Sequence, residues 1–338
     1  MEMERKVLGS IVGAAVGDAM GAATETRSAE IIKEDFGGYV EDIITPPDDC
    51  FARGCDAGTV TDDFSLAYFT AWELAESGGN VDEEVAKRSV IKWADQPEFY
   101  RFAGPTTRAA VERMRGQEPE VKNAFLACDN SKSTNGSGMK IFAAGLINPG
   151  NVDKAIQDAA TICMPTHHNN ISISGAAAVA AAVAKSATPD ATLDDVLMAG
   201  LYGAQKGFEI GSEIADKLAG PSVEKRMKLA IEIGKEGLPW EDAMLKLRDV
   251  IGAGLAAAES IPCVFGILAA CPLDAMAAIK MGVNIGDDTD TVATMVGGIA
   301  GALYGMSNIP ERYIDLIDKV NGFDLKGLAD AILKGFYA

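Results

Sequence analysis

The stretch Val7-Leu8-Gly9-Ser10-Ile11-Val12-Gly13-Ala14-Ala15-Val16-Gly17-Asp18-Ala19-Met20-Gly21-Ala22 decides the reading of this chain. Small and apolar residues alternate at helical spacing, and Gly9, Gly13, Gly17 and Gly21 fall every fourth residue on one face. Glycine costs a helix ~1 kcal/mol relative to alanine. A face made of it implies close approach of another helix or of a ligand. Two further small-residue faces, Ala176 to Ala184 and Gly297-Gly301-Gly305, let helix axes come close in the same way. Helical periodicity also predicts segments at 83–94, 105–115, 152–162, 172–186, 193–217, 222–234, 240–250, 254–269, 272–281, 289–305, 310–320 and 325–335. No stretch sustains the period-two alternation of a strand. The chain therefore reads as all-α, a compact multi-helix bundle forming a single domain over residues 1–338.

The balance of charge narrows the partners. A formal net charge of −19 argues against broad contact with nucleic acid or an anionic membrane. The charged residues Glu2, Glu4, Arg5 and Lys6 and the glycines that follow make a poor signal peptide. The longest apolar run, Val292 to Met306, is shorter than the ~20 residues a bilayer requires. The six cysteines at 50, 55, 128, 163, 263 and 271 show no framework spacing and read as free thiols in a reducing cytoplasm.

Two acidic strings carry the chemistry. Thr61-Asp62-Asp63 follows a loop-like stretch over 37–60 and runs into the helical segment Phe64 to Ala75. Gly286-Asp287-Asp288-Thr289-Asp290-Thr291 runs into another. Bunched acids repel and lose solvation when buried. Carboxylates and hydroxyls with no Cys or His beside them suit a hard cation such as Mg²⁺ or Mn²⁺, and two such strings can clamp two ions. Asn135-Gly136-Ser137-Gly138-Met139-Lys140 is a loop of small residues whose free N–H groups suit a phosphate or a sugar edge. Each string has a bland reading as well: a helix cap for Asp62-Asp63, an ordinary turn for the loop, a solvated residue for His168, and core or rim positions for Trp72, Trp93 and Trp240. Lys140 reads as a phosphate contact or a surface lysine.

Taken together, these strings resemble the ADP-ribosylglycohydrolase family. The opening glycines, Gly17-Asp18-Ala19-Met20-Gly21 and Glu25 match the family's first pattern. Thr61-Asp62-Asp63 matches its Thr-Asp-Asp string. Asn135 to Lys140 matches its Asn-Gly-x-x-Met-Arg loop, with lysine for arginine. Thr166-His167 and the 286–291 string follow in the family's order, with Asp287 in a glycine position. The resemblance implies an orthogonal helical bundle with two Mg²⁺ ions in a cleft, Mn²⁺ being an alternative. It implies Thr61, Asp62, Asp63, Asp288, Asp290 and Thr291 as metal ligands, and Glu25 and Asp63 as the carboxylates at the reacting bond. Asn135, Gly136, Ser137, Gly138, Met139 and His167 would bind substrate, and Asp18 would act in helix packing or behind the ligands.

The activity so implied is hydrolysis of an N- or O-glycosidic bond at C1″ of an ADP-ribose-like substrate. Such cleavage builds positive charge on the ribose and needs an activated water, which metals and a nearby carboxylate suit. The rivals are a nucleoside-like small-molecule N-glycosidase and a non-catalytic ADP-ribose binder. Arginine-directed members carry an acid in the loop after the second helix, whereas Phe102-Ala103-Gly104-Pro105-Thr106-Thr107 has none. The stretch from Gly104 to Arg108, and Ala257 to Pro262, look more like the bacterial and archaeal branch. The expected substrate is a small molecule or an ADP-ribosylated one with a neutral leaving group. The sequence leaves the oligomeric state open.

Overall fold

The computed structural model describes residues 2–119 and 127–337. Among them the regular structure is helical, with no strand. In chain order the α-helices are α1 Glu2–Gly21, α2 Ala29–Asp35, α3 Asp62–Glu76, α4 Glu83–Ala94, α5 Pro97–Tyr100, α6 Pro105–Met114, α7 Phe142–Leu146, α8 Val152–Cys163, α9 Asn170–Ser186, α10 Leu193–Ile214, α11 Val223–Gly234, α12 Trp240–Val250, α13 Ala257–Ala270, α14 Ala275–Asn284, α15 Thr289–Tyr304, α16 Arg312–Asn321 and α17 Leu325–Phe336. The periodic segments appear where expected, with ends shifted by a few residues. The short helices α2, α5 and α7 were not expected, because four to seven residues are too few to show a period.

The glycine face of α1 meets a helix, not a ligand. A Cβ on Gly9 would come within 2.5 Å of the Gly301 carbonyl oxygen, and one on Gly21 within 2.5 Å of the Asp290 Cα. Gly13 faces Gly297 and Gly17 faces Ala293 in the same manner. The start of the chain and α15 therefore pack backbone to backbone, and Asp290 is carried to the end of α1. Glycines 203, 207 and 211 of α10 give α9 an equally close approach through Ala177, Ile173 and Asn170. Burial of Ala176 to Ala184 on α9 follows.

Asp18 joins α1 to α3. It is fully buried and accepts from the Thr61 N–H at 2.9 and 3.0 Å, from the Thr61 hydroxyl at 3.0 Å and from the Phe64 N–H at 2.8 Å. These are donors that a helix start leaves without internal partners. Thr61 is itself the N-cap, so the Asp62-Asp63 pair occupies the first turn of α3. Trp93 is core and donates to the Ser65 hydroxyl at 2.9 Å, while Trp72 and Trp240 are half-buried. None of the described helices is long and apolar enough to cross a membrane.

Candidate active site

After α1 the chain turns sharply at Thr26, a β-branched residue with φ of 66°, a conformation such residues rarely adopt. The Thr26 N–H donates to the Asp287 carbonyl at 2.7 Å, and the Asp287 N–H returns to the Arg27 carbonyl at 2.9 Å. This exchange sets Glu25 beside the second acidic string. Asp287 lies at φ of 65°, in the left-handed region. The family's usual glycine is free there, and aspartate is among the side chains that tolerate it. Asp287 is exposed at the cleft and is not folded into the acidic cluster.

A cleft of about 560 Å³ opens over these residues. Oxygens of Glu25, Asp288 and Asp290 lie within 4.8 Å of one another. The Thr61 hydroxyl is 3.2 Å from Asp63 Oδ2 and 3.4 Å from Asp290 Oδ2, which ties the two strings together. Thr61, Asp62, Asp63 and Thr291 also line the cleft. Among the described residues, no lysine or arginine is ion-paired with these acids. Burial, then the neighbouring carboxylates, pushes Glu25 up to about 8 and Asp62 to about 7. Asp63 and Asp290 are driven well above the carboxylate range for the same reasons. Asp288 is raised by burial, although Asn135 donates to it. Buried Asp63 Oδ1 has no hydrogen-bond partner. Two carboxylates ~4 Å apart repel by about 4 kcal/mol at an effective dielectric of ~20. An all-oxygen donor set with an orphaned carboxylate oxygen and no countercharge fits hard divalent cations.

The small-residue loop reaches the cleft through part of its length. The Asn135 N–H donates to the Leu255 carbonyl at 2.9 Å, and its side chain holds Asp288. Asn135, Gly136, Met139 and His167 line the cleft. Ser137 and Gly138 do not: Ser137 is fully buried with its hydroxyl 3.3 Å from the Thr134 carbonyl, and Gly138 packs against Met295 and Ile261. A Cβ on Gly136 would sit 2.9 Å from His167 Nε2, so glycine there admits the ring. The His167 imidazole contacts the Thr166 hydroxyl at 2.9 Å and the Thr134 hydroxyl at 3.0 Å. Burial and Lys140 hold it well below its usual range, so it is neutral.

Lys140 is neither a phosphate contact nor a surface residue. It is fully buried, donates to the Thr166 hydroxyl, and burial lowers it to about 8. His168 is 47% exposed and lies 3.8 Å from Asp216, as a solvated residue would. The stretch Phe102 to Thr107 lines the cleft together with Asp62. Phe51, Thr134 and Leu255 also line it and were not anticipated. Thr134 adjoins a motif, Phe51 lies in a loop with no pattern to mark it, and Leu255 falls at the expected start of a helix that begins only at Ala257.

A helical protein with this cleft belongs with the hydrolases that cleave glycosidic bonds. More particularly, the ADP-ribosylglycohydrolase family model matches residues 1–338, and the chain belongs to that family. It is a glycosyl hydrolase of ADP-ribose-like substrates. The chain is 28% identical to the uncharacterized protein YegU of Escherichia coli K12, over 99% of this chain and 98% of YegU. It is 26% identical to the ADP-ribosylhydrolase ARH3 of Xenopus tropicalis, over 89% and 88%. A solved ADP-ribosylglycohydrolase-related protein complex shares the fold, with a TM-score of 0.67 at 21% identity and 99% coverage of each chain.

Proposed function

We propose that this protein is a cytoplasmic, single-domain hydrolase that holds two Mg²⁺ ions and cleaves an N- or O-glycosidic bond at C1″ of an ADP-ribose-like substrate. The observation that carries the reading is the convergence of Glu25, Asp288 and Asp290 oxygens within 4.8 Å, beside Thr61 and Asp63. Thr61, Asp62, Asp63, Asp288, Asp290 and Thr291 would hold the ions. When bound, they supply Lewis acidity and the positive charge that the acids lack. The chain's own residues do the rest. Glu25, half-buried at the rim of the cluster, is placed to take a proton from the attacking water or to face the oxocarbenium-like ribose. Asn135 orients Asp288. Neutral His167, with Gly136 and Met139 beside it in the cleft wall, suits the ribose-phosphate portion of the substrate. Asp18 positions Thr61 and the first turn of α3. Free thiols at all six cysteines, five of them buried, suit a reducing compartment.

Phe102 to Thr107 offers no carboxylate to a guanidinium leaving group, and Phe102 and Pro105 offer apolar contact. A cationic arginine gains no anchor on this loop. ADP-ribosyl-arginine, ADP-ribosyl-serine and a nucleoside-like glycoside should be compared in parallel with Mg²⁺. The expected order puts arginine last, and preferential release from arginine would overturn the role given to this loop.

A further inference from the structure

Phe51, Phe102 and Ala103 are shared between the cleft and a second cavity of about 490 Å³. The rest of that cavity's lining is Arg53, Arg101 and Arg108, with no acidic residue. Three guanidiniums in one cavity run against a chain carrying 49 acids and 30 lysines and arginines. Their hydrogen bonds go to backbone carbonyls and a cysteine sulfur, not to carboxylates. Arg53 reaches the Cys50 carbonyl at 3.4 Å, Arg101 the Cys55 sulfur at 2.6 Å, and Arg108 the Ala103 carbonyl at 2.7 Å and the Arg101 carbonyl at 2.7 Å. Arg101 lies over the Phe102 ring at 4.5 Å and Arg108 over the Tyr100 ring at 5.1 Å. Two of the three are thus fixed in advance by backbone and ring, which lowers the entropy lost on meeting a ligand. Among the described residues, each keeps N–H donors without an acceptor.

From this we infer that the second cavity is the leaving-group subsite and takes an anionic aglycone, a carboxylate or phosphate on a flat apolar frame. The inference rests on reading the acidic cleft as the place of glycosidic cleavage. The cavity shares no residue with the Asn135–Met139 loop, where that reading puts the ribose-phosphate portion. It adjoins the loop from Phe102 to Thr107 instead, which lines the cleft beside Asp62. Phe51 and Phe102 provide faces for the frame, and the guanidiniums provide charge-assisted, bidentate donors for the anion. Cleavage breaks the bond between the anomeric carbon and the aglycone N or O. Water gives its hydroxyl to that carbon and its proton to the departing atom. The aglycone retains its anionic group throughout, and the arginines shield that group from the carboxylates of the cleft.

Binding and turnover test the two readings separately. 4-Hydroxybenzoate, 4-hydroxyphenyl phosphate and the neutral 4-hydroxybenzamide would be titrated calorimetrically into the Mg²⁺-loaded protein. The same would be done with R53Q and R53Q/R101Q. The single variant guards against misfolding of the double, since Arg53 is exposed and makes one long bond. Hydrolysis of the matching aryl ADP-ribosides would be followed alongside. At least one anion should bind about tenfold more tightly than the amide, and the preference should shrink in R53Q and with added salt. A carboxylate preference without a phosphate preference, or the reverse, identifies the anion and sustains the inference. Equal binding of all three ligands, or a preference that R53Q leaves intact, overturns it even if the ADP-ribosides are cleaved. Selective anion binding without cleavage of any ADP-riboside would leave an anion site but overturn its role as a leaving-group subsite, together with the reading of the acidic cleft as the place of cleavage.

Discussion

Gly13→Ala probes the contact on which both fold and site depend. Its new Cβ would overlap the Gly297 carbonyl oxygen and lie 3.0 Å from the carbonyl carbon. Both obstacles are main chain, so no side chain can swing aside, and α1 and α15 must separate. Overpacking of this kind costs about 1–3 kcal/mol, and here the upper end applies. Replacing a mid-helix glycine by alanine returns about 1 kcal/mol of helix propensity. The net is a loss of about 2 kcal/mol, read as a lower urea midpoint by far-UV circular dichroism. Gly298→Ala, on the partner helix α15, is the matched control. Its Cβ meets Phe142 Cβ at 3.4 Å and Ala14 Cβ at 3.8 Å, which is ordinary contact. That variant should be neutral or gain up to about 1 kcal/mol. Separation of α1 from α15 also moves Glu25 away from Asp290, so Gly13→Ala should weaken Mg²⁺ binding while Gly298→Ala should not. A Gly13→Ala protein as stable as wild type, or equal damage from both substitutions, would refute the backbone-to-backbone packing argument.

The remaining predictions concern the acids. Glu25 titrates near 8 when folded without metal, against an ordinary 4.5, and Asp62 near 7 against 3.8. The folded state then holds protons that the unfolded chain has released, so rising pH favours unfolding. Metal-free protein should lose stability from about pH 4 to about pH 8, and excess Mg²⁺ should flatten the slope. Denaturation with EDTA that is flat or rising over this window would contradict the buried acidic cluster. Mg²⁺ should raise the melting temperature by mass action, and Asp290→Asn should abolish most of that rise; calorimetry showing no Mg²⁺ or Mn²⁺ binding to wild type would end the two-metal reading. Glu25→Gln should lower turnover by ~10²–10⁴-fold with the fold intact, whereas undiminished turnover would leave Glu25 a structural residue.

The sequence by itself determined the longer helices and the inventory of chemical groups. Periodicity is a property of neighbours along the chain, so α3, α9 and α15 were legible, as was the need for a close partner along Gly9 to Gly21. The acidic strings were legible because carboxylates bunched in a few residues are conspicuous without any fold. Only the tertiary structure decided what meets what. Which helix fills the glycine face is a matter of long-range packing, and so is the capture of the Thr61 and Phe64 N–H groups by Asp18. The turn of Ser137 and Gly138 into the protein, and the burial of Lys140 beneath Thr166, depend on α9, α13 and α15 closing over that loop. The arginine cavity is the clearest case. Arg53 sits in one loop and Arg101 and Arg108 in another stretch, each unremarkable alone, and their charges add only once Phe51 and Phe102 share a wall. Local pattern fixes an element's type, but the energy of a charge depends on its neighbours in space.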